Sequence, residues 1–110
     1  MTHHFYSDTF SHDGKEYDLT KVRILTRDEK AFLLPIRDLI WIFKYNKPDE
    51  NRVFHAKLRY PLLVAKDKVG RWTVVDGLHR LERYRRRGIN VIPVKLVNDE
   101  ILRLTRVIHK

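Results

Sequence analysis

The spacing of apolar and polar positions changes several times along the chain, and each change marks an element. Phe5-Tyr6 to Phe10 and Glu16 to Ile24 flank "SHDGK", whose Asp13-Gly14 predicts a hairpin turn. "KEYDLTKVRIL" alternates loosely and reads as the second strand of that hairpin. In "LPIRDLIWIFKY", Ile36, Leu39, Ile40 and Phe43 fall at i, i+3, i+4 and i+7, and Pro35 suits a first helical turn; the pattern predicts an amphipathic core helix over 35–45. The polar "NKPDEN" (46–51) reads as a loop inside the domain, because neither side is large enough to fold alone.

"YPLLVAKD" and "RWTVVD" read as two strands joined by a turn at Gly70. An arginine-rich helix follows, with Gly88 placed to close it. "INVIPVKLV" predicts a further strand, in which Pro93 requires an edge position or a bulge. "NDEILRLTRVIHK" predicts a last helix, with Asn98 as N-cap, Asp99 and Glu100 in the first turn, and Arg106, His109 and Lys110 in the last. The same periodicities place Trp41, Phe43, Tyr45, Tyr60 and Trp72 in the core rather than on a base-stacking surface. The expected fold class is α+β: a single domain over 1–110 with a mixed sheet and packed helices, residues 1–16 forming an N-terminal hairpin extension.

Composition narrows the chemistry. There is no cysteine, which excludes disulfides, thiol nucleophiles and thiolate metal sites. No apolar run approaches a membrane span, and the N-terminus does not open as a signal peptide, so the expectation is a soluble, cytoplasmic protein with no membrane partner. Lys and Arg outnumber Asp and Glu by 23 to 14, a formal charge of +9. That field attracts polyanions, whether a nucleotide, nucleic acid or an acidic protein. The histidines lack metal-ligand spacing: His3-His4 is an adjacent pair, and His12, His55 and His109 stand alone. Ser7 and Ser11 have no base–acid set near them, which argues against a serine hydrolase.

The candidate chemistry lies in "VVDGLHRLERYRRRG" (74–88), where a β-branched run stops at Asp76-Gly77 and turns directly into a helix. Gly77 permits a positive φ and a close approach to the backbone. The free N–H groups and positive dipole end of the helix, from Gly77 through Leu78, form an anion site to which His79 and Arg80 add side-chain donors. Asp76 is placed to hold a Mg²⁺ accompanying a nucleotide, or to orient His79. On this reading Asp76 and His79 are the catalytic candidates. The competing reading is a capping Asp76 and solvated His79-Arg80 on an ordinary surface helix.

These residues resemble the signature of the ParB/sulfiredoxin superfamily, in which a G-x-H-R or G-E-R-R segment binds nucleotide phosphates. Gly77-Leu78-His79-Arg80, then Ile92-Pro93-Val94-Lys95-Leu96-Val97, then the last helix keep the order of the sulfiredoxin motif. "ENRVFHAKLRYPLLVAKDKVGRWTVVDGLHRL" is also similar to small ParB-like proteins of phages and bacteria, with an arginine ahead of the "YPLLV" strand. The resemblance covers about residues 50–110 well and 17–45 weakly. It implies a phosphate cradle of Asp76, Gly77, His79 and Arg80, with Arg52 as a second cation. Leu78 stands where sulfiredoxin has its catalytic cysteine, so sulfinic-acid reductase activity is excluded. The chain has no room for the ParB helix-turn-helix, and its departure from the G-E-R-R box leaves CTP specificity open.

Arg80, Arg83 and Arg87 share one helical stripe (i, i+3, i+7), offset only by a Glu82–Arg86 pair (i, i+4). Arg83, Arg86 and Arg87 are therefore the candidates for contact with a nucleic-acid backbone. The leading functional expectation is a nucleotide- or phosphate-binding domain, a nucleotide-dependent switch or phosphoryl-chemistry enzyme (an NTPase) acting near nucleic acid. The alternative is a non-enzymatic, phage-type basic adaptor that engages DNA or an acidic protein. A metal-dependent nuclease is the third, and would need Asp99-Glu100 to approach Asp76.

Overall fold

The computed structural model describes residues 8–108. β1 (Thr9–His12) and β2 (Lys15–Asp18) form the antiparallel hairpin, with Asp13 and Gly14 at φ 51° and 77° in its turn. Both central residues in the left-handed region is the turn geometry that matches strand twist. Phe5-Tyr6, His3-His4 and Ser7, like His109 and Lys110 at the other end, lie outside the described residues.

The second strand is shorter than its loose alternation predicts. Asp18 accepts a hydrogen bond from the Lys21 N–H at 3.1 Å and so starts a helix, α1 (Leu19–Leu25), which buries Leu19 and Val22. A capping aspartate outweighed β-branched composition here.

The predicted 35–45 helix is corrected more deeply. Residues 32–35 form a strand, β3 (Phe32–Pro35), and two 3₁₀ turns follow at Ile36–Asp38 and Ile40–Lys44. The buried residues are Ile36, Leu39 and Ile42, spaced by three, while Ile40 is exposed. Three residues per turn is the 3₁₀ period, and it eclipses these three side chains on one edge. The "NKPDEN" loop then ends at Asp49, which caps a single helical turn, α2 (Glu50–Phe54).

The main sheet has the order β3-β6-β4-β5, built from β4 (Leu62–Lys66), β5 (Trp72–Asp76) and β6 (Val91–Leu96). β6 runs parallel to β4 and antiparallel to β3. Pro93 therefore sits in an interior strand of regular register, at neither the edge nor the bulge that was expected. It is tolerated because the β4–β6 ladder begins only at Leu62↔Val94, one residue beyond it.

Alternate residues of β4 enter two cores. Leu62 and Val64 join Ile92, Val94 and the 3₁₀ turns under α3 (Leu78–Arg86), which contributes Leu81 and Tyr84. Leu63 and Ala65 face the other way, toward Tyr17, α1 and α4 (Asp99–Thr105), the last capped by Asn98 as expected. The sheet is thus covered on both sides, and the mixed α+β class is as predicted. Among the described residues no helix is long and apolar enough to cross a membrane.

Of the five aromatics placed in the core, Trp41, Phe43 and Trp72 pack against it, partly buried. Tyr45 and Tyr60 do not: they are 75% and 51% exposed.

Candidate phosphate cradle and its surroundings

β5 carries Asp76 to the tip of the sheet, and a register shift puts it opposite Leu63 while Val74 faces Val64, so Val75 is a bulged residue. The bulge turns the strand end just before the chain enters α3. Gly77 makes that entry at φ +115°. A Cβ there would lie 2.8 Å from Leu62 Cγ and 3.2 Å from the Arg80 guanidinium, so only glycine fits.

No side chain caps α3. Its first main-chain bond runs from the Leu81 N–H to the Gly77 carbonyl at 2.9 Å, leaving the N–H groups of Leu78, His79 and Arg80 without a helical partner. These groups border a cavity of about 370 Å³, lined also by Arg52, Lys57 and Tyr60. The fold thus brings Arg52, Asp76, Gly77, Leu78, His79 and Arg80 together, although 23 residues of chain separate Arg52 from Asp76. Arg52 and Lys57 form no side-chain hydrogen bond or ion pair among the described residues, and both are exposed. Lys57 is the cation that sequence reasoning missed, since nothing in "FHAKLRY" distinguishes it from its neighbours.

His79 sits half-buried beside Arg52, and burial, then that positive charge, push its imidazole below the ordinary range; Asp49 opposes the shift. It is a neutral hydrogen-bonding group at neutral pH. Asp76 does not orient it. Both Asp76 oxygens face guanidinium groups: Arg23 Nε donates to Oδ2 at 3.0 Å and Arg23 Nη2 to Oδ1 at 3.3 Å, and Arg80 Nη2 lies 3.4 Å from Oδ2. Asp76 therefore presents no free carboxylate to Mg²⁺ and does not fit the ligand role expected of it. Among the described residues no group of three His, Cys, Asp or Glu is arranged to hold a metal, and Asp99 lines a different groove, beside His12 and Arg106.

Arg80, read from the sequence as a phosphate donor or a solvated side chain, folds back onto the chain. Its Nη1 donates to the Tyr60 carbonyl at 3.0 Å and the Pro61 carbonyl at 3.2 Å. It still borders the cavity, but as a braced part of the wall.

Two of the three proposed nucleic-acid contacts, Arg83 and Arg86, are engaged within the chain. Arg83 Nη1 donates to the carbonyls of Val53 and Phe54, closing the C-terminal end of α2. Arg86 is held by Glu82 at 2.7 Å and by Glu50 at 2.9 and 2.6 Å. Arg85 grips the same Glu82 at 2.7 and 2.6 Å. Only Arg87 of the three has no side-chain partner among the described residues. Long-range carbonyls and Glu50 decided this, and a single-helix pattern contains neither.

Comparison with family models and with curated proteins finds no match. Among solved structures, the chain is similar to sulfiredoxin from Arabidopsis thaliana at 20% identity and a TM-score of 0.47, over 60% of this chain and 82% of that one. It is similar to a C-terminal truncation of SbnI from Staphylococcus aureus at 22% identity and a TM-score of 0.51. That match spans 64% of this chain and only 32% of the SbnI chain. At such identity the likeness speaks to architecture alone: the described chain has a ParB/sulfiredoxin-like α+β fold.

Proposed function

We propose that the cavity at the head of α3 binds the phosphate groups of a nucleoside triphosphate or a related phosphorylated ligand. The observation that carries this reading is the convergence of unpartnered donors on one space: the N–H groups of Leu78, His79 and Arg80 with the unpaired Arg52 and Lys57. A phosphate there meets backbone donors, a helix dipole and two free cations at once. His79, uncharged and at the rim, supplies a further hydrogen bond to a phosphate oxygen. Any Mg²⁺ arrives on the nucleotide and is held by phosphate and water, because Asp76 is engaged by Arg23 and Arg80. The site serves as a nucleotide-dependent switch or as a seat for phosphoryl chemistry.

Calorimetry and thermal shift with the four ribonucleoside triphosphates and inorganic tripolyphosphate, with and without Mg²⁺, test the reading. Saturable binding lost in Arg52→Ala/Lys57→Ala supports it; no ligand-dependent stabilisation sinks it. Arg80→Ala is a poorer probe, since it also strands the Tyr60 and Pro61 carbonyls.

The adaptor reading keeps the net charge of +9 as its support. With Arg83 and Arg86 engaged internally, a nucleic-acid or acidic-protein partner would meet Arg87, Arg52 and Lys57 rather than a stripe along α3.

A further inference from the structure

A second cavity of about 390 Å³ opens beside the cradle, sharing Tyr60, Asp76 and Arg80 with it and adding walls from α1 and β6. Its own lining is Arg23, Thr26, Arg27, Pro61, Leu63 and Lys95. Two features define its chemistry, and the second sets it apart from the cradle.

The first is charge. Arg23, Arg27, Arg80 and Lys95 face a single lining carboxylate, Asp76. Lys95 Nζ donates to the carbonyls of Thr26 and Arg27 at 3.2 and 3.0 Å, neutral acceptors that leave its charge uncompensated. Arg27 has no side-chain partner among the described residues and is exposed. The second is polarity. Leu63, Pro61 and Tyr60 give the cavity an apolar wall, and Gly77, Leu78 and His79 at the head of α3 are not part of its lining. α1 presents its C-terminal end, where Thr26 and Arg27 carry the carbonyls that Lys95 covers. That end is the negative pole of the helix and opposes a compact polyanion.

We propose that this cavity binds a small organic carboxylate with an apolar or aromatic body, seated next to the phosphate ligand across the shared Asp76–Arg80 pair. The carboxylate pairs with Arg27 and the half-buried Lys95. The body packs on Leu63, Pro61 and Tyr60, displacing water from apolar surface. The inference goes beyond the cradle reading and does not require it.

The test is a ¹H–¹⁵N NMR titration of the full chain with benzoate, with benzamide as the uncharged match and tripolyphosphate as the probe of the cradle. Benzoate is expected to bind saturably in the millimolar range and to shift the amides of Thr26, Arg27, Leu63 and Lys95, with benzamide binding at least several-fold more weakly. Arg27→Glu should weaken benzoate about tenfold, because it reverses a charge at the carboxylate's position. Arg52→Ala/Lys57→Ala should leave benzoate unchanged. No saturable benzoate shift up to tens of millimolar overturns the proposal. So do equal binding of benzamide and shifts confined to residues 77–80. Failure of tripolyphosphate to bind would remove the cradle reading and leave the benzoate result standing.

Discussion

The two ends of α3 carry the same kind of residue and meet opposite fates. At the head, the backbone N–H groups of Leu78, His79 and Arg80 stay open beside the unpaired Arg52 and Lys57. Along the body, Glu82, 3% exposed, holds Arg85 and Arg86; Glu50 holds Arg86 again; and Arg83 is tied to the end of α2. Arginine density alone therefore does not locate a binding surface. What distinguishes the head is that nothing among the described residues answers its open N–H groups or the cations Arg52 and Lys57.

Substitutions at the two ends should separate in kind as well as in size. Gly77→Ala is the largest expected effect, because it combines a left-handed φ with a contact against Leu62. A loss of about 3 kcal/mol is expected, some 10–20 °C in melting temperature, together with loss of tripolyphosphate binding. A melting curve within a few degrees of wild type would show that the turn is not fixed as described.

Arg85→Ala/Arg86→Ala strips both partners from the Glu82 carboxylate. Losing a buried partner costs about 3–5 kcal/mol in a dry site, and water admitted where the arginines lay reduces this to about 2 kcal/mol. Ligand affinity should be unchanged, which calorimetry can read directly. The same cluster fixes an acid limit. Hydrogen bonds from Arg85, then Arg86, hold the Glu82 carboxyl below its ordinary range. Its contribution is therefore complete above the usual glutamate pKa and declines as pH falls through the lowered value. Glu82→Gln should flatten that decline in a denaturant series at stepped pH.

At the head, Arg52→Ala/Lys57→Ala should lower tripolyphosphate affinity about 10- to 100-fold and move stability by less than about 0.5 kcal/mol. If stability falls and affinity does not, these cations belong to the fold and the contrast with the helix body is lost.

His79 gives a smaller effect with an unusual sign. Because the folded chain protonates it less readily than the unfolded chain does, stability should decline slightly as pH falls through about 6.5. A bound anion favours the charged imidazole, so tripolyphosphate affinity should rise over the same window. His79→Gln should abolish both trends. Opposite slopes in the wild type, measured by denaturation and by calorimetry, would establish that His79 faces the ligand.

Arg87→Ala should be the quietest change, within about 0.5 kcal/mol in stability. If nucleic acid binds at all, losing this phosphate contact reduces the salt slope by about one.

The sequence determined those features whose cause is local or periodic. Asp13-Gly14 specified the hairpin turn, "YPLLVAKD" a strand, Asn98 the start of α4, and Asp76-Gly77 the passage from strand to helix, because each depends on dihedral preference, capping or apolar patterning within a few residues. The order of strands and helices carried the α+β class, and the resemblance the ParB/sulfiredoxin-like expectation. Tertiary structure decided the rest. The spacing of Ile36, Leu39 and Ile42 fits a 3₁₀ period as well as a helical stripe, and only packing under the sheet chose between them. The interior position of Pro93 depended on where β4 begins. Most consequentially, the state of each charged group depended on partners far away in sequence: Arg23 for Asp76 across 53 residues, Glu50 for Arg86 across 36, and the Tyr60 carbonyl for Arg80 across 20. An ion pair acts over a few ångströms of space and leaves no period along the chain, so the choice between a free cation and a structural one was made by the fold.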